Sequence, residues 1–222
     1  MGSIAIRPDT SPTVCITLSD GSLWFIEWQG KTSDAPDALK GRLVITAQLE
    51  AISSPISSIT TYYNSEPDSD TKEYLALGTQ DGRIMILEGV PQQLKKTFTV
   101  HTNHPIRGLR WLGPNSVICF TSELIEKGVY RNRIKIVNIQ TGQVKEIRKK
   151  LEPENTYIRG IRVSNSRQYL IVLLKDVPFQ IWDLRSGSLL QNIPFPQITA
   201  IDWQSTESSS TNSSYSSYNS IT

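Results

Sequence analysis

Cysteine and histidine are scarce, with two of each in 222 residues. Cys15 and Cys119 are too few for a disulfide framework, and with only His101 and His104 beside them no convincing zinc set can be assembled. The thiols read as small buried hydrophobes, each in the second strand of a different repeat, and the chain as one from a reducing, cytosolic compartment. Long hydrophobic runs are also missing. The longest, Tyr169 to Leu174, stops far short of the roughly 20 residues that span a bilayer, so no transmembrane segment is expected. The start, Met1-Gly2-Ser3-Ile4-Ala5-Ile6, lacks the apolar core of a signal peptide and carries Ile6 where myristoylation needs Ser or Thr. Charge of one sign is lacking too. With 23 basic and 21 acidic residues the net charge is +2, which argues against a dominant field for nucleic acid or anionic membrane.

What is present is repetition. The stretch Leu173 to Leu190 has an apolar run that stops at Lys175-Asp176, alternates at Phe179 and Ile181, ends on Trp182-Asp183 and turns at Ser186-Gly187. Weaker copies occur at Leu18 to Trp28 with its Asp20-Gly21 turn, at Gly78 to Glu88 with Asp81-Gly82, and at Arg131 to Asn138 followed by Thr141-Gly142. The Trp182-Asp183 position reads Ile26-Glu27, Leu87-Glu88 and Val137-Asn138 in those copies. The interval is 61 residues from Glu27 to Glu88, 50 on to Asn138 and 45 on to Asp183. These values bracket, on the long side, the roughly 40 to 45 residues of a WD-type propeller blade. Asp-Gly predicts tight turns in which both central residues take positive φ.

A second motif alternates with the first: Ile56-Ser-Ser-Ile59, Ile106-Arg-Gly-Leu109-Arg-Trp111, Ile158-Arg-Gly-Ile161-Arg-Val163 and Ile198-Thr-Ala-Ile201-Asp-Trp203. Apolar residues three apart with small ones between predict the innermost strand of each blade, where a central channel leaves little room. The fold expected is therefore all-β: an incomplete WD40-type β-propeller over residues 1–204. Its blades are expected near 13–50, 56–100, 105–148 and 157–193, with the start of another at 197–204. The first blade is expected to be partial, because the residues before Thr13 are few and polar. Pro178 suits the opening of a strand. Half the positions from Ser205 to Thr222 are serine, so a disordered tail is expected there. Closed propellers take about four to eight blades, so this count predicts a piece of a longer propeller or a truncated gene product.

Val100-His101 through Trp111, Arg131-Asn132, Thr141-Gly142, Ile161-Arg-Val-Ser164 through Leu170, and the run from Val163 to Trp203 together resemble the WD repeat-containing protein eleven family. The resemblance covers about Ile56 to Gln204. It implies part of the first of the tandem propellers in a large cytosolic protein. It also implies a scaffold that, with partner proteins, captures endosome-derived vesicles at the trans-Golgi through golgins, with further links to cilia and Hedgehog signalling. A nuclear location is the remaining alternative.

No catalytic constellation is visible. His101 and His104 lie at the link into an inner strand and have neither nucleophile nor orienting acid at a suggestive spacing. Gly78-Thr-Gln-Asp-Gly82 precedes a strand and lacks the lysine of a phosphate-binding loop. No cofactor, metal or small-molecule substrate is therefore expected, and the chain reads as non-enzymatic. Asp20, Asp81 and Asp176 read as turn residues whose carboxylates accept local amides, and Trp182 and Asp183 as the best-kept copy of a repeat position. The basic run Lys145, Arg148, Lys149, Lys150 reads as a solvated edge that discourages strand pairing, with phosphate or lipid binding as the sharper alternative. The best partner-binding candidate is the insertion Ser122 to Arg131. It is expected as a loop offering Leu124, Ile125, Tyr130 and Arg131 to another protein, with a floppy surface loop as the equal alternative. The competing functional class is a chromatin- or nucleic-acid-associated WD module, which a steep salt dependence of binding would reveal.

Overall fold

The computed structural model describes residues 4–6, 13–18, 20–30, 41–49, 54–63, 73–88, 93–148, 153–195, 198 and 201–203. The expected tail at 205–222, the acidic link 64–71, and Lys149 and Lys150 lie outside them.

Among the described residues sixteen strands make four antiparallel sheets, each a simple meander. The first holds β1 (Ile4–Ile6), β2 (Thr13–Thr17), β3 (Leu23–Gly30) and β4 (Gly41–Leu49). The second holds β5 (Ile56–Tyr63), β6 (Glu73–Thr79), β7 (Arg83–Glu88) and β8 (Gln93–Thr99). The third holds β9 (Gly108–Gly113), β10 (Ser116–Glu126), β11 (Val129–Asn138) and β12 (Val144–Glu146). The fourth holds β13 (Ile158–Val163), β14 (Tyr169–Leu174), β15 (Phe179–Asp183) and β16 (Ser188–Ile193). Among the described residues there is no helix, and so none long and apolar enough to cross a membrane. The expectation of a partial first blade is corrected by Ile4–Ile6, which pairs with β2 through Ile4↔Ile16 and Ile6↔Val14. Three residues suffice for an inner strand because neighbours, not length, hold it.

The first strands of successive sheets approach one another, β1 to β5, β5 to β9 and β9 to β13. The second and third sheets each lie between two neighbours, and there the side-chain period of two divides strands such as β7 and β10 between two cores. Val117 and Cys119 of β10 pack toward the second sheet with Ala76, Ile84 and Ile86. Ile118 and Phe120, which alternate with them in sequence, pack toward the fourth with Leu170, Val172 and Trp182. β7 divides likewise: Met85 and Leu87 join Leu23 and Phe25 of the first sheet, while Ile84 and Ile86 face the third.

A repeated clasp also joins the sheets. Trp111 Nε1 donates to the Thr60 carbonyl at 3.2 Å, and Trp203 Nε1 donates to the Arg162 carbonyl at 3.2 Å. The two tryptophans hold the same place in the inner-strand motif, and so do Thr60 and Arg162. Ile201, Asp202 and Trp203 thus lie against β13 as β9 lies against β5.

The turns differ from the Asp-Gly expectation. Gly21 and Gly82 both have φ of 87°, but Asp20 and Asp81 are not among the positive-φ residues. The turn is closed by Gly82 N–H donating to the Thr79 carbonyl at 3.3 Å, and Gly21 donates to Leu18 at 3.1 Å. This is the longer hairpin loop in which one left-handed glycine follows an ordinary turn.

Candidate functional site: an anchored hairpin tip

The insertion Ser122 to Arg131 is an extension of the sheet rather than a loop. Ser122↔Asn132, Glu123↔Arg131, Leu124↔Tyr130 and Glu126↔Val129 continue the β10–β11 ladder, with a bulge at Ile125. The chain reverses at Lys127-Gly128, where Gly128 has φ of 79° and open space around it. In sequence the segment passes for a loop because Leu124 and Ile125 are adjacent apolar residues with charges on both sides, which breaks the alternation of a strand. Leu124 is 61% exposed and Ile125 37%. The bulge is what brings both toward solvent together.

The base of the hairpin is fixed by a buried polar network. Ser122 Oγ donates to Asn132 Oδ1 at 2.6 Å, and Asn132 Nδ2 donates to Glu154 Oε2 at 2.7 Å and to the Thr156 carbonyl at 2.8 Å. Arg148, 1% exposed, donates to both Glu154 oxygens at 2.5 and 2.7 Å. Tyr130 and Glu154 exchange backbone bonds of 2.7 Å in both directions, and Ile158 N–H donates to Ser122 Oγ at 3.0 Å, reaching the fourth sheet. Arg148 is therefore not part of a solvated edge, which corrects the reading of the basic run. Lys145 is also engaged, with its Nζ donating to the Arg185 carbonyl at 2.9 Å.

The four expected partner-binding residues divide between tip and base. Leu124 and Ile125 form the exposed tip. Tyr130 is half-buried, its ring 5.2 Å from that of Tyr157, and with Arg107, Ser122 and Tyr157 it lines a cavity of about 210 Å³. Arg131 Nη1 donates to Glu123 Oε2 at 3.4 Å, and His104 Nε2 lies 3.6 Å from the other Glu123 oxygen. Glu154 and Thr156 carry no signal in the sequence. Asn132, a polar residue set in an otherwise alternating strand, is the one available pointer to the network.

The repeat residues have different roles from one another. Asp20 Oδ1 accepts from Ser22 N and Oγ at 2.8 and 2.7 Å, and these bonds hold its carboxyl below its usual range. Around Asp81, desolvation pushes the pKa up, but the Arg83 guanidinium at 2.6 Å and the Thr79 hydroxyl more than offset it, leaving it lowered. Its partners are thus side chains, not the local amides expected. Asp176 contributes backbone shape, with φ of 57° and an exposed carboxylate. Trp182 is 8% exposed and packs in the core between sheets three and four. Asp183 Oδ1 accepts from Ser186 N at 2.7 Å, as Asn138 Oδ1 accepts from Gln140 N and Thr141 N at 2.9 Å. The repeat thus carries a turn-capping device as well as a packing position.

Meander sheets of four strands, meeting through their innermost strands and clasped by repeated tryptophans, define a WD-type β-propeller unit. The chain belongs to the family described as the WDR11 second beta-propeller, whose model matches residues 44–221. The resemblance implied the first propeller, and the matched model corrects that to the second. The chain is 32% identical over 132 residues to "WD repeat-containing protein 11" of Danio rerio, Mus musculus and Homo sapiens. That match takes in 58% of this chain and 11% of each relative's length.

Proposed function

We infer that the chain is a non-enzymatic protein-interaction scaffold and that the hairpin tip is its partner contact. The observation that carries the reading is the pairing of exposed Leu124 and Ile125 with a buried network at their base. Two apolar side chains held out on a fixed stalk lose little freedom when a partner covers them. Arg131 and Glu123 give the same hairpin a polar rim, as protein interfaces have. The likeness to WD repeat-containing protein 11 supports a protein-interaction role within a longer chain, and we extend that reading to a cytosolic assembly. Within it, the chain would help tether endosome-derived vesicles at the trans-Golgi through golgin-linked partners, with the cilium base as a second station.

The test is affinity capture with the full-length protein carrying Leu124→Ala and Ile125→Ala, followed by imaging of vesicle capture. Loss of a bound partner and dispersal of vesicles from the trans-Golgi are expected. Unchanged capture would sink the role of the tip, and unchanged vesicles with lost capture would sink the tethering role.

A further inference from the structure

The last three copies of the inner-strand motif each place one side chain at the same spot. After Gly108-Leu109 comes Arg110, after Gly160-Ile161 comes Arg162, and after Ala200-Ile201 comes Asp202. These three positions, with Arg167, line one concavity of about 560 Å³ between the third and fourth sheets. Arg110 and Arg162 adopt the same pose. Arg110 Nη1 donates to the Leu109 carbonyl at 2.8 Å, and Arg162 Nη1 to the Ile161 carbonyl at 3.0 Å. Each side chain is folded back on its own strand while lining the concavity. Arg167 approaches from the turn before β14 and packs over Gly113 of the third sheet, where an added Cβ would stand 3.1 Å from Nη1.

Positive charge is in excess here. Among the described residues no ion pair joins Arg110, Arg162 or Arg167 to a carboxylate. Asp202 is the one acid in the lining, and its Oδ1 already accepts from Trp203 N at 2.9 Å. Arg110 is exposed as a residue, yet its guanidinium is held below the usual arginine range, first by desolvation and then by the charge of Arg162, with Asp202 opposing. Like charges brought together in a concavity gain most from a ligand that answers all of them at once.

We propose that this concavity binds a soluble polyphosphate anion, with Arg110, Arg162 and Arg167 as the phosphate contacts. Guanidinium presents a rigid fork of donors that suits phosphate bidentately. A phosphate group offers up to about two charges and three acceptor oxygens, so a compact molecule with several can reach three arginines where one carboxylate cannot. Ser164 and Asn165 at the rim add neutral polar groups that suit the same ligand. The site lies on inner strands, away from the hairpin tip, so it does not depend on the scaffold reading.

The experiment is calorimetric titration of the 222-residue chain with inositol hexakisphosphate and inorganic triphosphate at fixed ionic strength, with citrate as the carboxylate comparison. Saturable binding of a polyphosphate is expected, weakened about tenfold or more by Arg110→Gln and again by Arg162→Gln. Asp202→Asn should tighten it, which keeps the test sound if an arginine variant unfolds. Lys96→Ala, far from the concavity, should leave it unchanged. Absence of saturable polyphosphate binding, citrate binding as tightly as the polyphosphates, or affinity indifferent to both Arg162→Gln and Asp202→Asn would overturn the proposal.

Discussion

Gly108 lies directly across the ladder from Phe120, and a Cβ built on it would overlap Phe120 Cε1 and stand 3.0 Å from Cζ. Phe120 is itself 3% exposed in the core between sheets three and four, so it has nowhere to move. The small residue of the inner strand is required here by the neighbouring strand, not by a narrow channel. At Gly160, the same motif position in the fourth sheet, the nearest atom is Arg162 Nη1 at 4.0 Å. Gly108→Ala should therefore cost about 1–3 kcal/mol through overpacking. Gly160→Ala should cost nothing or gain up to about 1 kcal/mol by restricting the unfolded chain. Urea midpoints of the two variants check this; equal losses would contradict it.

Arg148 and Glu154 form the buried ion pair under the hairpin. Removing one partner strands the other's charge, so Arg148→Ala should lose about 3–5 kcal/mol. The paired change Arg148→Met with Glu154→Gln should lose less than the sum of its single changes. A double-mutant cycle by denaturant unfolding measures the coupling, and additive losses would deny it.

His101 is 3% exposed, and its Nε2 has no partner among the described residues. Desolvation first, then the charges of Lys135, Arg133 and His104, lower its pKa to about 3. The unfolded imidazole takes up its proton near pH 6.5, while the folded one stays neutral until about pH 3. Its contribution is thus complete above pH 6.5 and lost as pH falls toward 3, by up to about 1.4 kcal/mol per pH unit. Unfolding midpoints measured at about pH 7.5, 6 and 5 should fall in order, and His101→Gln should flatten that slope.

Cys15 is 1% exposed and Cys119 is fully buried. Burial, partly opposed by Lys135, pushes the Cys119 thiol up to about 12. Both should resist a thiol reagent in the native chain and react only as fast as the sheets open. Rapid labelling at neutral pH without denaturant would contradict the packing.

The sheets were legible in the sequence because their signals are local. Alternation at Leu23 and Phe25 or at Phe179 and Ile181, and the turns at Asp81-Gly82 and Ser186-Gly187, depend on residues within one hairpin. Ile4–Ile6 was not legible, since a three-residue strand has too short a period to register and is held by Val14 and Ile16. The candidate site was half legible. Leu124 and Ile125 stood out as apolar residues among charges, whereas Tyr130 looked as available as they did until Tyr157 covered it.

By itself the sequence determined the repeat and the strand period, because alternation acts between neighbours in the chain. Tertiary structure alone decided that Arg148 is buried against Glu154, that the insertion is a hairpin, and that Arg110, Arg162 and Asp202 share one concavity. Most of those outcomes depend on residues far apart in the chain that meet only when one sheet packs on the next, and no local spacing encodes that meeting.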